Sequence, residues 1–283
     1  MSYTILNNTC LRGIYKKREN WSHKGDFGKI LVIGGSEEYT GSPALVALSA
    51  LRTGADTAKI FTTKRAADIC ASFSPEIITI PSSGRYLSYE DIDRIRENIS
   101  WSNVIALGNG LGTGDGQKEL VNALLKESRK KFVIDADGLK ILNKELLDNN
   151  MLLTPNTHEF EVLFGSKPSN NIEERVSLVK EKARQYGTTI LLKGHVDIIS
   201  NGEHSFINKT NSVYMTKAGT GDVLAGICAG IIGQGNRLLE SGCAGAFING
   251  YTGRYVSKSK RESISPIDII DNMYLTITKW RYQ

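Results

Sequence analysis

Cysteine is scarce in this 283-residue chain, and its four copies, Cys10, Cys70, Cys228 and Cys243, lie far apart. No Cys-x-x-Cys pair or zinc-like spacing occurs, which argues against a structural zinc site or a disulfide framework. Dispersed single thiols suit a reducing compartment. Long hydrophobic runs are missing too: none has the length needed to cross a bilayer. Residues 1–11 are polar, without the apolar core of a signal peptide. A cytoplasmic protein with no membrane partner is expected. An excess of one charge is equally absent, since 35 basic and 30 acidic residues leave a net +5, and the longest basic cluster near the start is Lys16-Lys17-Arg18. That balance suits a small anionic substrate and is too dispersed for a nucleic-acid footprint. There is no Gly-x-Ser-x-Gly elbow and no Cys–His pairing, so hydrolysis through a covalent enzyme intermediate has no support.

What the chain does have is regular. Hydrophobic residues make up 40% and charged residues 23%, the balance of an ordinary domain with a sizeable core. Short apolar, β-branched runs at 30–33, 57–62, 77–80, 104–107, 132–134, 151–153 and 190–192 read as strands. Helical patterns lie between them at 43–53, 89–98, 117–128 and 172–186. This alternation predicts an α/β protein whose central, mostly parallel sheet carries helices on both faces. Beyond it, 196–200 and 204–208 read as a hairpin around Asn201-Gly202, followed by helices at 221–233, 238–257 and 267–278. No linker or repeat divides the chain, so a single domain is expected.

Functional loops in such sheets leave the carboxyl ends of the strands. Five Gly- or Asp-bearing turns fall there: Gly34-Gly35-Ser36, the stretch 108–114, Asp135-Ala136-Asp137-Gly138, Thr154-Pro155-Asn156 and Lys193-Gly194. The strongest signal comes later, at Lys217-Ala218-Gly219-Thr220-Gly221-Asp222, which opens an apolar helix. Glycines admit an anion close to the backbone, and helix-start amides hold phosphate oxygens. Asp222, in the first turn, is placed either to take a proton from an attacking hydroxyl or to cap the helix. Small residues continue through Ala225, Gly226, Ala229 and Gly230, as close packing on a ligand or a neighbouring helix requires.

Other turns leave two readings open. Gly108-Asn109-Gly110-Leu111-Gly112 follows the fourth strand rather than the first, so it reads as a phosphate- or ribose-contacting turn, or as a glycine-rich connector. Asn156 and Glu159 share a helical face, suiting a water-coordinated Mg²⁺ or a capping box, while His158 is expected to face solvent. Lys193 to Asp197 could line a nucleotide, or Lys193 could guard an edge strand. Asp135 to Gly138 is a plain turn or orients substrate hydroxyls. The stretch 22–29, basic and with two glycines, is a lid or a solvated loop.

Taken in order, these turns resemble the ADP/ATP-dependent NAD(P)H-hydrate dehydratases, a branch of the ribokinase-like superfamily. The resemblance runs from His23 to Ser257 and rests on His23-Lys-Gly-x-x-Gly28, Gly34-Gly35-Ser36, Tyr39-Thr40-Gly41-Ser42-Pro43, Gly108-x-Gly-Leu-Gly112, Asp135-Ala-Asp-Gly138, Thr154-Pro-Asn-x-x-Glu-Phe160, Leu192-Lys-Gly194 and Gly219-Thr-Gly-Asp222. It implies a ribokinase-like domain over 23–283 after an N-terminal extension, 1–22. It implies a repair reaction in which a nucleotide, ADP or ATP, phosphorylates the hydrate of NADH or NADPH and phosphate then leaves. Asp222 would be the base, and Ala218, Gly219, Thr220 and Gly221 the anion hole. Lys193, Gly194, His195, Val196 and Asp197 would contact the nucleotide, and Ser42, Gly110, Gly112 and Asn156 the hydrate. Asn156 and Glu159 would hold Mg²⁺ through water. A homotetramer or larger assembly and a separate epimerase partner are also implied. Several positions depart from the family: Ser42 stands where Ala is common, Asn109 where Pro is common, and Asn156 where bacterial members often have His. The segment 210–216 lacks the usual Gly and Pro. The residues themselves also admit a small-alcohol kinase or a nucleotide-binding sensor, although a sensor has no need of Asp222.

Overall fold

Continuous apolar strands need cover on both faces, and they receive it in the computed structural model, which describes residues 3–281. The strands are β1 (Thr4–Ile5), β2 (Lys29–Ile33), β3 (Thr57–Thr63), β4 (Ile77–Ser82), β5 (Val104–Leu107), β6 (Lys131–Ile134), β7 (Met151–Leu153), β8 (Thr189–Leu192), β9 (Asp197–Ser200) and β10 (Ser205–Asn208). They form one sheet in the order β1-β10-β9-β8-β7-β6-β5-β2-β3-β4. Strands β2 to β8 are mutually parallel, and β9 is antiparallel to β8 and β10 as the hairpin reading expects. The helices are α1 (Ser42–Arg52), α2 (Lys64–Phe73), α3 (Ile92–Trp101), α4 (Asp115–Glu127), α5 (Asp137–Ile141), α6 (Thr157–Phe164), α7 (Ile172–Gln185), α8 (Thr220–Gly233), α9 (Leu238–Lys260) and α10 (Pro266–Trp280).

Side chains alternate between two cores, as strand geometry demands. Ile30, Val32 and Ala106 join Val46 of α1, Ile227 and Ile231 of α8, Ile248 of α9 and Met273 of α10. Leu31, Ile33, Ile105 and Leu107 pack instead with Ile95 of α3, Leu120 and Leu124 of α4, Phe160 of α6 and Val179 of α7. The chain leaves β2 towards β3 and β4 on one side and returns as β5 on the other. The sheet therefore has its topological switch point between β2 and β5, where α/β proteins open a binding crevice.

Four features differ from the sequence reading. Helix α2 is not among the helices expected from the sequence, and its buried residues are Ala66, Ala67 and Cys70, small groups packed close to the sheet. The predicted helix at 89–98 begins instead as a 3₁₀ turn, Tyr89–Asp91, before α3. The stretch 22–29 precedes β2 and so lies at the amino end of the strands, with Gly28 against Gly233 at the far end of α8. Asp56 accepts hydrogen bonds there from the amides of Gly25 and Phe27. A segment tied down at that end cannot cover a crevice at the carboxyl ends. Residues set apart as an extension are also built into the sheet and core: β1 pairs with β10, and Leu6, Leu11 and Ile14 are buried.

The small residues of α8 serve helix packing. A Cβ on Gly226 would lie 2.2 Å from both the Ser49 hydroxyl and the Val46 carbonyl of α1, and one on Gly230 would lie 2.3 Å from the Thr53 hydroxyl. In α9, Gly242 faces Leu152 and Ile199, Gly245 faces Cys228, and Gly253 faces Met215, so these positions pack within the chain. The Gly226→Ala variant is expected to lose about 1–3 kcal/mol of stability, because neither the backbone carbonyl nor α1 can yield. A lower urea midpoint with an unchanged slope would show it.

Candidate active site

The turns at the carboxyl ends meet around a chain of buried polar side chains. Lys193, just after β8, places its ammonium 2.6 Å from Asp135 Oδ1, at the end of β6, and 3.7 Å from Glu159 Oε2. Thr154, after β7, donates to the same Asp135 oxygen at 2.9 Å. Asn109, after β5, donates through its one amide nitrogen to Asp135 Oδ2 at 2.9 Å and to Asp222 Oδ1 at 2.6 Å. Four strand ends and the start of α8 are thus joined in one network.

The α8 start explains its own glycines. Gly219 has φ +92, and a side chain there would also strike Leu45 and Pro266. Gly221 brings backbone to the Lys193 ammonium, where a Cβ would lie 3.2 Å from Nζ. Thr220 N–H donates to Lys217 O and Val223 N–H to Gly219 O. The Thr220 hydroxyl is engaged by the carbonyls of Met215 and Lys217. Among the described residues nothing outside the helix accepts from the amides of Gly221 and Asp222, which stand at the positive end of the helix dipole to receive an anion.

Burial, and then the nearby charge of Asp135, push the Asp222 carboxyl up to about 6, against hydrogen bonds from Asn109 and Ser42 and the charge of Lys193 that pull it down. A carboxylate poised there holds little charge at pH 5 and full charge at pH 8, the range in which a general base is most effective. Lys193 is pushed down by burial, but Asp135 and Glu159 outweigh this and hold its ammonium above the usual lysine range.

A cavity of about 700 Å³ opens beside this network. Its walls include Asn156, Lys193, Gly194, His195, Asp197, Thr220 and Gly221. Seven of the sequence-predicted positions therefore share one space. Val196 is not among the residues of the cavity wall, and its side chain packs on the core of the α3–α7 face. Ala218 is exposed just before the helix. Asp197 spends its carboxylate on the Gly194 amide at 3.0 Å and on Asn208 and Asn211 at 3.0 and 2.9 Å, so it shapes the turn. On the other side of Asp222, Ser42 stands against Gly110, where a Cβ would meet Ser42 Cβ at 3.3 Å. The Gly112 amide donates to Asp137 Oδ2 at 2.9 Å.

Asn156 and Glu159 form the capping box of α6. Asn156 Oδ1 accepts from Glu159 N–H at 2.9 Å, and Glu159 Oε2 accepts from Asn156 N–H at 2.8 Å. Among the described residues, no three His, Cys, Asp or Glu side chains converge as a direct metal-ligand set. His158 is exposed, as expected.

Sequence reasoning placed Asp135 and Asn109 in turns with possible substrate or phosphate contacts and linked neither of them to Asp222. One local signal marks Asp135: Ala136 beside it has φ +52, a backbone strain of the kind that gathers at functional sites. The segment 210–216, noted for lacking Gly and Pro, proves to be a cavity wall. Asn211 donates from it to the Gly194 carbonyl at 2.9 Å.

A family model described as NAD(P)H-hydrate dehydratase matches residues 30–274. The chain belongs to that family. Among curated members of the NAD(P)H-hydrate dehydratase family, the ADP-dependent (S)-NAD(P)H-hydrate dehydratase of Nitrosopumilus maritimus is 35% identical over 274 residues, covering 95% of each chain. The bifunctional NAD(P)H-hydrate repair enzyme Nnr of Pyrobaculum aerophilum is 38% identical over 264 residues, 93% of this chain and 53% of that protein. The chain thus spans about half the length of the bifunctional relatives it matches. The fold is shared with the ADP/ATP-dependent NAD(P)H-hydrate dehydratase of Bacillus subtilis co-crystallized with ATP/Mg²⁺, with a TM-score of 0.83 at 21% identity and 99% coverage of both chains. It is shared also with hydroxyethylthiazole kinase of Pyrococcus horikoshii, at 0.61 and 16% identity over 89% of this chain and 91% of that one. The ribokinase-like architecture expected from the sequence is therefore present.

A carboxylate held at such a position works against folding. Its unfolded value is near 3.8 and its folded value about 6, so the destabilisation is absent below the first and complete above the second. Asp222→Asn is accordingly expected to raise stability at pH 7–8 by on the order of 1–3 kcal/mol. Thermal unfolding across pH checks this, since the gain over the parent protein should vanish near pH 4.

Proposed function

We propose that this chain returns the (S)-hydrate of NADH or NADPH to the intact dinucleotide, using ADP and releasing AMP and phosphate. The observation that carries the reading is Asp222 itself. It is a partly buried, hydrogen-bonded carboxylate with its pKa lifted to about 6, at the mouth of a helix whose first amides are free to hold a phosphoryl group. The family membership supports the substrate, and the ADP-dependent relative of N. maritimus supports ADP over ATP.

On this reading the nucleotide occupies the 700 Å³ cavity beside Lys193, and the hydrate lies on the Ser42, Gly110 and Gly112 side of Asp222. Asp222 takes the proton of the hydrate hydroxyl as its oxygen attacks the terminal phosphorus. The bond from that phosphorus to the AMP oxygen breaks. The anion hole from Ala218 to Gly221 balances the charge on the transferring group, a task of positioning and electrostatics. Phosphate then leaves with the carbon–oxygen bonding pair, the neighbouring ring carbon gives up a proton, and the double bond reforms.

Mg²⁺ fits the charge balance. Asp135, Glu159 and Asp222 surround the single ammonium of Lys193, and nucleotide phosphates add further negative charge. A hydrated Mg²⁺ would offset that charge, held through its waters by Asn156 of the cavity wall and by Glu159. On the same reading the protein is a cytoplasmic homotetramer or larger, and an NAD(P)H-hydrate epimerase supplies the (S)-form. Among the described residues, no helix is long and apolar enough to cross a membrane.

Purified protein with Mg²⁺ and ADP should restore NADH absorbance from its hydrate and release one phosphate per turnover. Asp222→Asn should lower kcat by about 10²–10⁴-fold, the usual worth of a general base, while calorimetry still detects ADP binding. Accumulation of a phosphorylated product would mark a kinase instead. No turnover of either hydrate with ADP or ATP would overturn the assignment.

A further inference from the structure

Asn109 is 1% exposed, and its side chain lies between two carboxylates on different elements. Both hydrogens of its amide nitrogen are used, one on Asp135 Oδ2 and one on Asp222 Oδ1. Its own carbonyl oxygen, Oδ1, is buried and has no partner. The opposite orientation would turn that oxygen towards two carboxylates, so the donor must face them. An unsatisfied buried acceptor weakens a fold. A residue kept for packing would not carry one, and the amide is therefore placed for its donor.

The neighbours of Asp222 define what that donor does. Asp135 at the end of β6 repels its charge, Lys193 after β8 attracts it, and the Ser42 hydroxyl of α1 donates to it. Glu159 of α6, 3.7 Å from the same ammonium, draws part of the Lys193 charge away from Asp222. Of these groups, Asn109 is the one hydrogen-bonded to both aspartates.

We propose that Asn109 is a positioning residue: its single amide nitrogen, bonded to Asp135 and Asp222 together, fixes the orientation of the base and separates two carboxylates that would otherwise face each other. The proposal rests on Asp222 being the base. Without the amide, Asp222 loses a hydrogen bond to its charged form and feels Asp135 directly, and both effects favour the protonated, inactive carboxyl.

The test uses Asn109→Pro. The ring takes away the side-chain amide, and among the described residues the residue 109 N–H donates to no backbone carbonyl that the ring would orphan. Asn109→Leu, close in shape, serves if the proline variant does not fold. In protein labelled with ¹³C at the aspartate carboxyls, Asp222 is assigned by its loss in Asp222→Asn and titrated by NMR. Its midpoint is expected to rise by about one pH unit in the Asn109 variant. The acid limb of kcat/KM should move by the same amount, with activity recovering towards pH 9. An unmoved Asp222 midpoint overturns the proposal, as does an activity loss equal at every pH. The NMR titration needs no substrate, so its outcome is distinguishable from failure of the hydrate-repair reading, which appears as no turnover by the parent protein.

Discussion

The contact between Lys193 and Asp135, 2.6 Å long at the carboxyl ends of β8 and β6, ties the working end of this protein together. A buried ion pair adds little net stability, because desolvation cancels much of the attraction, but breaking one is costly. Its effect here is placement. Lys193 also reaches towards Glu159, Asp135 also receives Thr154 and Asn109, and Asn109 reaches Asp222. Removal of either ion would leave a buried charge beside the base.

That network depends on backbone approach. Gly221 leaves room for the Lys193 ammonium, which a side chain there would crowd, and Gly226 and Gly230 let the same helix lie against α1. Helix α1 in turn carries Ser42 to Asp222. Small residues on one helix thus set both the packing of a core and the distance between a base and its supports. The site is accordingly built from the turns directly after four strands and from the first turn of α8.

The electrostatics divide the labour. Free first-turn amides and the helix dipole favour an incoming phosphate, while the crowd of carboxylates around one ammonium favours an accompanying cation. Asp222 sits where these influences meet. Its raised pKa is a cost to the fold and a gain to proton transfer, the usual exchange between stability and activity.

Much of this was legible in the residues. Alternation of apolar runs with amphipathic stretches determined a layered α/β fold, because strands buried on both faces leave an unbroken apolar signature. Strand-end glycines marked the crevice, and Gly219-Thr220-Gly221-Asp222 marked its centre, because an anion site at a helix start demands those residue types. Helix α2 stayed hidden because Ala and Cys bury little area, and the stretch 22–29 looked like a lid because composition says nothing about which end of a sheet a loop occupies. Only tertiary structure decided that Asp135 and Asn109 belong with Asp222. They come from turns 26 residues apart and meet a base 113 residues from Asn109. Local pattern carries no record of such meetings, since they follow from β5 lying beside β6 in the sheet and from α8 packing against both.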